Sequence, residues 1–284
     1  MNNLSIIIAS EDAGVQVNGS SNGALKLGED LDNAIVVKQK EFTKSTDKND
    51  LKKNLNEVNE FNKELYDKAY NELLNGNIIL TIGGDHSIAI GSALASIKYN
   101  NKMGVMWIDA HGDYNTFDTT ITGNIHGIPL AALDHYEKEL LTDFHDGNYF
   151  NPKNTVIVGA RDLDPLEIEN LKDAGVTIYS TEDVHNLGVE KVMELAFEVA
   201  SKDVDKVHIS YDIDVIDPKI ACGVSVPAKD GITEEEAYLI MDEVLKHKDL
   251  INSMDLVEYN SLRDKEDKTY KIAKKLRDKV INNL

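Results

Sequence analysis

Short, uninterrupted apolar runs alternate with segments of helical periodicity along most of this 284-residue chain. The apolar runs predict strands at residues 4–9, 34–37, 77–82, 104–108, 155–159, 176–179, 207–213 and 251–257. Helices are predicted between them, at residues 25–31, 51–73, 88–99, 128–133, 166–174, 189–200, 234–247 and 269–284. Strands that are apolar on both faces are typical of a mostly parallel sheet covered by helices on both sides. The alternation therefore predicts an α/β fold.

The chain shows no internal division. No Pro-rich linker, repeat or low-complexity tract interrupts the alternation of strands and helices. A chain of this length can form one large α/β domain with a full core. We therefore predict a single domain over residues 1–284.

Charge and cysteine content argue against several classes of function. Asp and Glu number 50 and Lys and Arg 30, which gives a net charge of −20, and such a surface repels the phosphate backbone of nucleic acids. The single cysteine, Cys222, permits no intrachain disulfide and fits a reducing cytoplasm. No apolar run approaches the roughly 18 residues that a membrane span needs. We expect a cytoplasmic protein with no nucleic-acid or membrane partner.

The strand predicted at residues 104–108 runs directly into Asp109-Ala110-His111-Gly112-Asp113. In an extended segment alternate side chains share one face, so Asp109, His111 and Asp113 are expected to point the same way. A mixture of carboxylate and imidazole ligands suits divalent manganese, zinc or iron. The pattern predicts a metal site at the end of this strand.

Two other predicted strands end in residues of the same kind. His86 follows two glycines that permit a sharp turn, and Asp212 and Asp214 lie at the end of the strand at 207–213. Together with the first cluster they make two histidines and four aspartates, which is more than one ion needs. If all six converge, they can hold two divalent ions that activate water and polarise an electrophile. Any one cluster alone is equally typical of ordinary turn chemistry.

These blocks resemble the ureohydrolase family, which includes arginases, agmatinases and formiminoglutamases. The matching segments are Gly83-Gly84-Asp85-His86-Ser87, Asp109-Ala110-His111-Gly112-Asp113, Ser210-Tyr211-Asp212-Ile213-Asp214 and Asp255-Leu256-Val257-Glu258. The resemblance implies a three-layer α/β/α fold with a roughly eight-stranded sheet, two Mn²⁺ ions per subunit, and a homo-trimer or homo-hexamer. It assigns His86 and Asp113 to one ion and His111 and Asp214 to the other, with Asp109 and Asp212 bridging.

Within the family, three loop segments look most like those of arginases. They read Asp113-Tyr114-Asn115-Thr116, Thr120-Ile121-Thr122-Gly123-Asn124-Ile125-His126-Gly127 and Arg161-Asp162-Leu163-Asp164-Pro165. The resemblance implies that Asn115, Thr120, Thr122 and Asp164 grip the α-carboxylate and α-amino groups of the substrate. It implies hydrolysis of the cationic guanidino substrate L-arginine to L-ornithine and urea.

Three catalytic roles are implied by the resemblance. His126 resembles the histidine that shuttles protons between the site and bulk water. Glu258 resembles the glutamate that pairs the guanidinium group. Asp113 would accept a proton from the attacking water and pass it to the leaving amine. Read without the resemblance, His126 is a solvated loop side chain and Glu258 is a solvent-facing strand end.

One segment departs from the arginase pattern. Ala221-Cys222-Gly223-Val224-Ser225-Val226-Pro227 stands where arginases have Gly-Thr-Pro, and its form is closer to that of formiminoglutamases. Other ureohydrolase activities therefore stay open: formiminoglutamase, agmatinase or guanidino-acid hydrolase. Two alternatives of other kinds are a non-catalytic protein that retains the fold and a related zinc deacetylase with one ion. The complete ligand set argues against a non-catalytic protein. Six ligands are more than one ion needs, which argues against the deacetylase.

Overall fold

The computed structural model describes residues 3–47, 49–137 and 143–284, and in these ranges strands alternate with helices. The strands are β1 (Leu4–Ser10), β2 (Ile35–Lys38), β3 (Ile78–Gly83), β4 (Met103–Ile108), β5 (Thr155–Ala160), β6 (Thr177–Ser180), β7 (Lys206–Asp212) and β8 (Ile251–Val257). The helices are α1 (Ser20–Gly28), α2 (Leu55–Leu74), α3 (Ala89–Asn100), α4 (Pro129–Leu133), α5 (Pro165–Ala174), α6 (Thr181–Leu187), α7 (Val189–Ala200), α8 (Glu234–Lys246) and α9 (Lys268–Asn283).

The eight strands form one sheet in the order β2-β1-β3-β8-β7-β4-β5-β6. Every neighbouring pair is parallel. The predicted α/β fold is therefore confirmed, and the sheet is all-parallel rather than mostly parallel. The order places β3, β8, β7 and β4 side by side in the middle of the sheet. The polar segments that follow these parallel strands therefore meet at their carboxyl ends.

Helices cover both faces of the sheet and create two separate cores. Helices α1, α6, α7, α8 and α9 pack on one face, and α2, α3, α4 and α5 on the other. Successive strand residues alternate between the two cores: Ile7 and Ile79 contact one, whereas Ile8 and Leu80 contact the other. This burial on both faces explains why the strands are apolar at nearly every position. None of the helices in the described ranges is long and apolar enough to cross a membrane.

Helix boundaries differ from the prediction where the backbone is set by distant contacts. Helix α2 begins at Leu55 rather than at residue 51, because Asn54 adopts a left-handed conformation with φ of 56°. Helix α1 spans Ser20–Gly28 rather than the predicted residues 25–31, so it begins within a Gly- and Ser-rich stretch. Helix α6 was not predicted at all; it has only two buried residues and begins with a capping box between Ser180 and Asp183.

Candidate metal centre and active site

All six predicted metal ligands lie at the carboxyl ends of β3, β4 and β7, and only Asp212, the last residue of β7, belongs to a strand. Strand β4 ends at Ile108, and the chain then turns so that Asp113 has a φ of 49°. Asp214 lies in a 3₁₀ turn, where its N–H donates to Asp212 Oδ1 at 2.6 Å. The prediction that alternate residues share an extended face is therefore wrong, and the side chains converge because both segments turn.

One group of ligands surrounds the imidazole of His86. Its Nδ1 lies 2.9 Å from Asp109 Oδ2, 3.0 Å from Asp113 Oδ2 and 3.1 Å from Asp212 Oδ2. None of these contacts has the alignment of a hydrogen bond, so a fully buried nitrogen points into the space between three carboxylate oxygens. Neighbouring ligands of an octahedral ion with bonds of about 2.1 Å lie about 3 Å apart. The arrangement fits a divalent cation.

A second group shares Asp109 with the first. Asp109, His111 and Asp214 each offer one ligand atom, and these atoms lie within 4.8 Å of one another. His111 Nδ1 is 3.1 Å from Asp214 Oδ2 and 3.4 Å from Asp109 Oδ1. In the described residues Asp212 belongs to the first group only. The structure therefore contains two candidate metal sites joined through one aspartate, as a binuclear centre requires.

The orientation of His86 is fixed from two sides. Its Nε2 is 2.8 Å from Ser210 Oγ on β7, which leaves Nδ1 as the ligand atom. Its ring stacks on Trp107, with centroids 3.9 Å apart and planes 7° apart. Trp107 thus packs directly against a candidate metal ligand.

The buried carboxylates of the centre repel one another. Burial raises the pKa of Asp212 well above its ordinary value, and Asp214 and Asp109 add to the shift. Burial and Asp109 together raise the pKa of Asp113 to about 6. Burial opposes protonation of His86, but the three surrounding carboxylates outweigh it and raise the His86 pKa well above its ordinary value. Divalent cations would supply the positive charge that the centre needs.

A histidine–glutamate pair borders the centre. Glu258 follows β8 with a φ of 68°, and its Oε1 lies 2.9 Å from both His86 N and His126 Nδ1. Its Oε2 is buried and has no hydrogen-bond partner among the described residues. Burial opposes protonation of His126, but Glu258 outweighs it and raises the His126 pKa to about 9. The solvated and solvent-facing interpretations of these two residues are wrong.

A cavity of about 180 Å³ is lined by four of the metal ligands: His111, Asp113, Asp212 and Asp214. The other wall contains the residues predicted to bind substrate: Asn115, Thr120, Thr122 and Asp164. Asn115 Nδ2 donates to Asp164 Oδ2 at 3.1 Å, so an amide and a carboxylate already form a pair opposite the metal ligands. His126 also lines the cavity, whereas Glu258 lies behind it and is 1% exposed.

A sequence profile described as the Arginase family matches residues 6–281. The chain belongs to the arginase family. The arginase of Bacillus subtilis (strain 168) is 39% identical over 230 residues, which cover 81% of this chain and 77% of that protein. Among solved structures, Entamoeba histolytica arginase in complex with L-ornithine superposes with a TM-score of 0.90 at 32% identity, covering 99% and 98% of the two chains. The Bacillus subtilis arginase crystal structure gives 0.86 at 32% identity, covering 100% and 99%. The protein is therefore a metal-dependent ureohydrolase of the arginase family.

Sequence reasoning missed several residues of this arginase-family cavity. Asn124 lines it, and its buried Oδ1 has no hydrogen-bond partner in the part of the chain that the structure describes. Glu167 also lines it and accepts hydrogen bonds from Tyr114 N and Asp164 N, and burial raises its pKa to about 7. Glu167 could have been found from the capping box that it forms with Asp164. The loop that sets this family member apart, residues 221–227, also reaches the cavity through Val226.

Proposed function

We propose that this protein is an arginase that uses two Mn²⁺ ions to hydrolyse L-arginine to L-ornithine and urea. The observation that carries the proposal is the pairing of two metal-ligand groups that share Asp109 with a polar wall containing Asn115 and Asp164. Relatives named arginase at 38–40% identity support the same activity. Carboxylate and imidazole ligands suit manganese, although zinc and iron accept the same set.

The family resemblance supports an assignment of ligands to each ion. His86 and Asp113 would hold one ion, His111 and Asp214 the other, and Asp109 and Asp212 would be shared; the two groups in the structure have Asp109 in common. When bound, the ions would polarise the guanidinium group and the attacking water. The remaining chemistry belongs to side chains of the cavity.

The wall residues would bind the amino-acid end of the substrate. Asn115, Thr120 and Thr122 carry amide and hydroxyl groups that can donate to a carboxylate, and Asp164 can pair with an ammonium group. Glu258 has one unpartnered carboxylate oxygen for the guanidinium. These contacts would orient L-arginine with its guanidinium carbon toward the metal ligands.

Proton transfer would use Asp113 and His126. Water adds to the guanidinium carbon, Asp113 accepts its proton, and the proton passes to the side-chain nitrogen as its bond to that carbon breaks. The products are L-ornithine and urea. Because Nδ1 of His126 is bound to Glu258, its Nε2 is the nitrogen that can exchange the proton with solvent.

Residues 221–227 favour a second candidate, a hydrolase of another guanidino or formimino amino acid. Val226 lines the cavity, and Arg263 Nη1 fixes the loop by donating to Ser225 O at 2.6 Å. A rigid loop of unusual sequence at the cavity wall can change which substrate fits.

We also propose a cytoplasmic homo-trimer or homo-hexamer acting on a small cationic substrate, with all 284 residues in one domain. The family resemblance supports the oligomer, and the single cysteine supports the reducing compartment. Sedimentation of the purified protein tests the oligomer: a monomer would contradict it.

A substrate panel tests the activity. The manganese-loaded protein is incubated with L-arginine, agmatine, formiminoglutamate and guanidino acids, and urea, formamide and L-ornithine are measured. We expect urea and L-ornithine in equal amounts from L-arginine. Good turnover of another substrate with no urea from L-arginine would overturn the arginase proposal. An Asp109→Asn protein serves as the inactive control.

A further inference from the structure

Lys53 is the only buried lysine among the described residues, with 6% of its surface exposed. It lies between β2 and α2, outside the residues assigned a role so far. Its Nζ donates a hydrogen bond to the carbonyl oxygen of Thr122. The ammonium group therefore lies directly behind the loop that forms the polar wall of the cavity.

This buried charge has no counter-ion in the described ranges. Its one hydrogen bond goes to a neutral carbonyl, and no described carboxylate forms an ion pair with it. Buried charges are normally paired because an isolated charge loses its hydration without compensation. The positive charge of an ammonium group without a counter-ion attracts an anion that enters the neighbouring cavity.

The segment around Lys53 backs the substrate loop closely. A Cβ added at Gly123 would lie 2.6 Å from the carbonyl oxygen of Asp50 and 2.8 Å from the Cα of Leu51. Thr120 and Thr122, on either side of this contact, both line the cavity. The loop and the segment therefore form one packed unit.

Asn54 holds this unit in a fixed position. Its Nδ2 donates to Ala13 O and its Oδ1 accepts from Ser45 N, both at 2.8 Å. Gly14 follows Ala13 in the chain, and its carbonyl oxygen accepts a hydrogen bond from His126 N. Lys53 is thus connected to the cavity from two sides, which limits how far its charge can move.

Resting on the proposed function, we propose that Lys53 is a positioning residue that makes the site selective for a substrate carboxylate. The rest of the wall is acidic, with Asp162, Asp164 and Glu167 lining the same cavity, and would repel that carboxylate. Lys53 opposes this repulsion with a positive potential at the Thr122 end and holds the Thr122 backbone in place. A cationic substrate without a carboxylate gains nothing from it.

L-Argininamide is the matched probe, because it keeps the guanidinium and α-amino groups and replaces only the carboxylate with a neutral amide. Urea release from L-arginine and L-argininamide is measured for the manganese-loaded wild type, Lys53→Gln and Lys53→Arg. We expect Lys53→Gln to lower kcat/KM for L-arginine about tenfold or more, mainly through KM, because a partly desolvated charge interacts strongly. For L-argininamide we expect a change of less than about threefold. Lys53→Arg should retain most of the preference for L-arginine.

Lys40→Gln is the matched control, because Lys40 is on the same segment but exposed and paired with Glu60; both activities should be unchanged. Thermal unfolding and metal content of each variant show whether it is folded and loaded.

Equal losses for both substrates, or a preference that Lys53→Gln leaves intact, would overturn the role of Lys53. Absence of urea from L-arginine in the wild type would instead overturn the proposed function. If Lys53→Gln does not fold, the arginine variant decides: retention of charge with loss of preference contradicts the proposal.

Discussion

Replacing Glu258 with glutamine should lower the pKa of His126 by more than two pH units. The structure gives His126 a pKa of about 9 against an ordinary 6.5, and the carboxylate of Glu258, 2.9 Å from Nδ1, is the largest influence that raises it. The difference of about 2.5 pH units corresponds to about 3.4 kcal/mol. Burial alone lowers the pKa of a histidine, so without the carboxylate we expect His126 to titrate below 6.5.

The same pair makes stability depend on pH. The folded pKa of His126 lies above its unfolded value, so the stabilisation is complete below about pH 6.5 and is lost as the pH rises through about 9. Between these values the free energy of unfolding of the wild type should fall by up to about 3 kcal/mol relative to Glu258→Gln. Equilibrium unfolding of metal-free wild type and Glu258→Gln, with urea as denaturant, at pH 6 and pH 9.5 measures this difference.

Nuclear magnetic resonance of metal-free protein labelled at histidine Cε1 measures the pKa directly. The chain has eight histidines, and His126→Asn assigns the relevant signal. His145, whose pKa is lowered by burial, is the internal control and should be unaffected by Glu258→Gln. A wild-type His126 that titrates near 6.5, or an unchanged pKa in the variant, would refute the reasoning.

Further outcomes are expected for metal binding, tryptophan fluorescence and stability. Asp109→Asn should weaken both metal sites more than about 100-fold, because even outer-shell changes cost 10–100-fold; a variant that still binds two ions tightly contradicts a shared ligand. Trp107 is the only tryptophan and stacks on His86, so manganese binding should change its fluorescence, and a titration without change argues against His86 as a ligand. Gly84→Ala places a Cβ 1.6 Å from a backbone carbonyl oxygen and should lower the free energy of unfolding by about 3 kcal/mol or more. Gly127→Ala meets open space and should leave the thermal midpoint unchanged.

The parallel sheet and its ligands could be predicted because their signals are local in the sequence. Strands buried on both faces must be apolar throughout, and each metal ligand directly follows such a strand. His86, Asp109 and Asp212 were therefore recognisable without knowledge of their neighbours. The capping box that Thr233 forms with Glu236 is a local signal of the same kind and marks the start of α8.

The remaining features depend on contacts between distant segments, which local patterns do not encode. In the sequence Lys53 is one more charged residue near the start of the helix predicted at 51–73, yet the fold buries it against Thr122. Trp107 lies in the strand predicted at 104–108, and its stacking partner is His86, 21 residues away. The positive φ of Asp113 and Glu258 places both side chains in the site, and such conformations in non-glycine residues are held by the surrounding structure rather than by local preference.

Counting the ions bound per chain tests the central claim, that three strand ends build two metal sites sharing Asp109. The protein is stripped by chelation, reloaded with Mn²⁺, freed of excess ion and analysed for metal content. We expect two ions per chain in the wild type and about one after His111→Ala, which removes a ligand from the second group only. A wild type that binds one ion or none at saturating Mn²⁺ would contradict it.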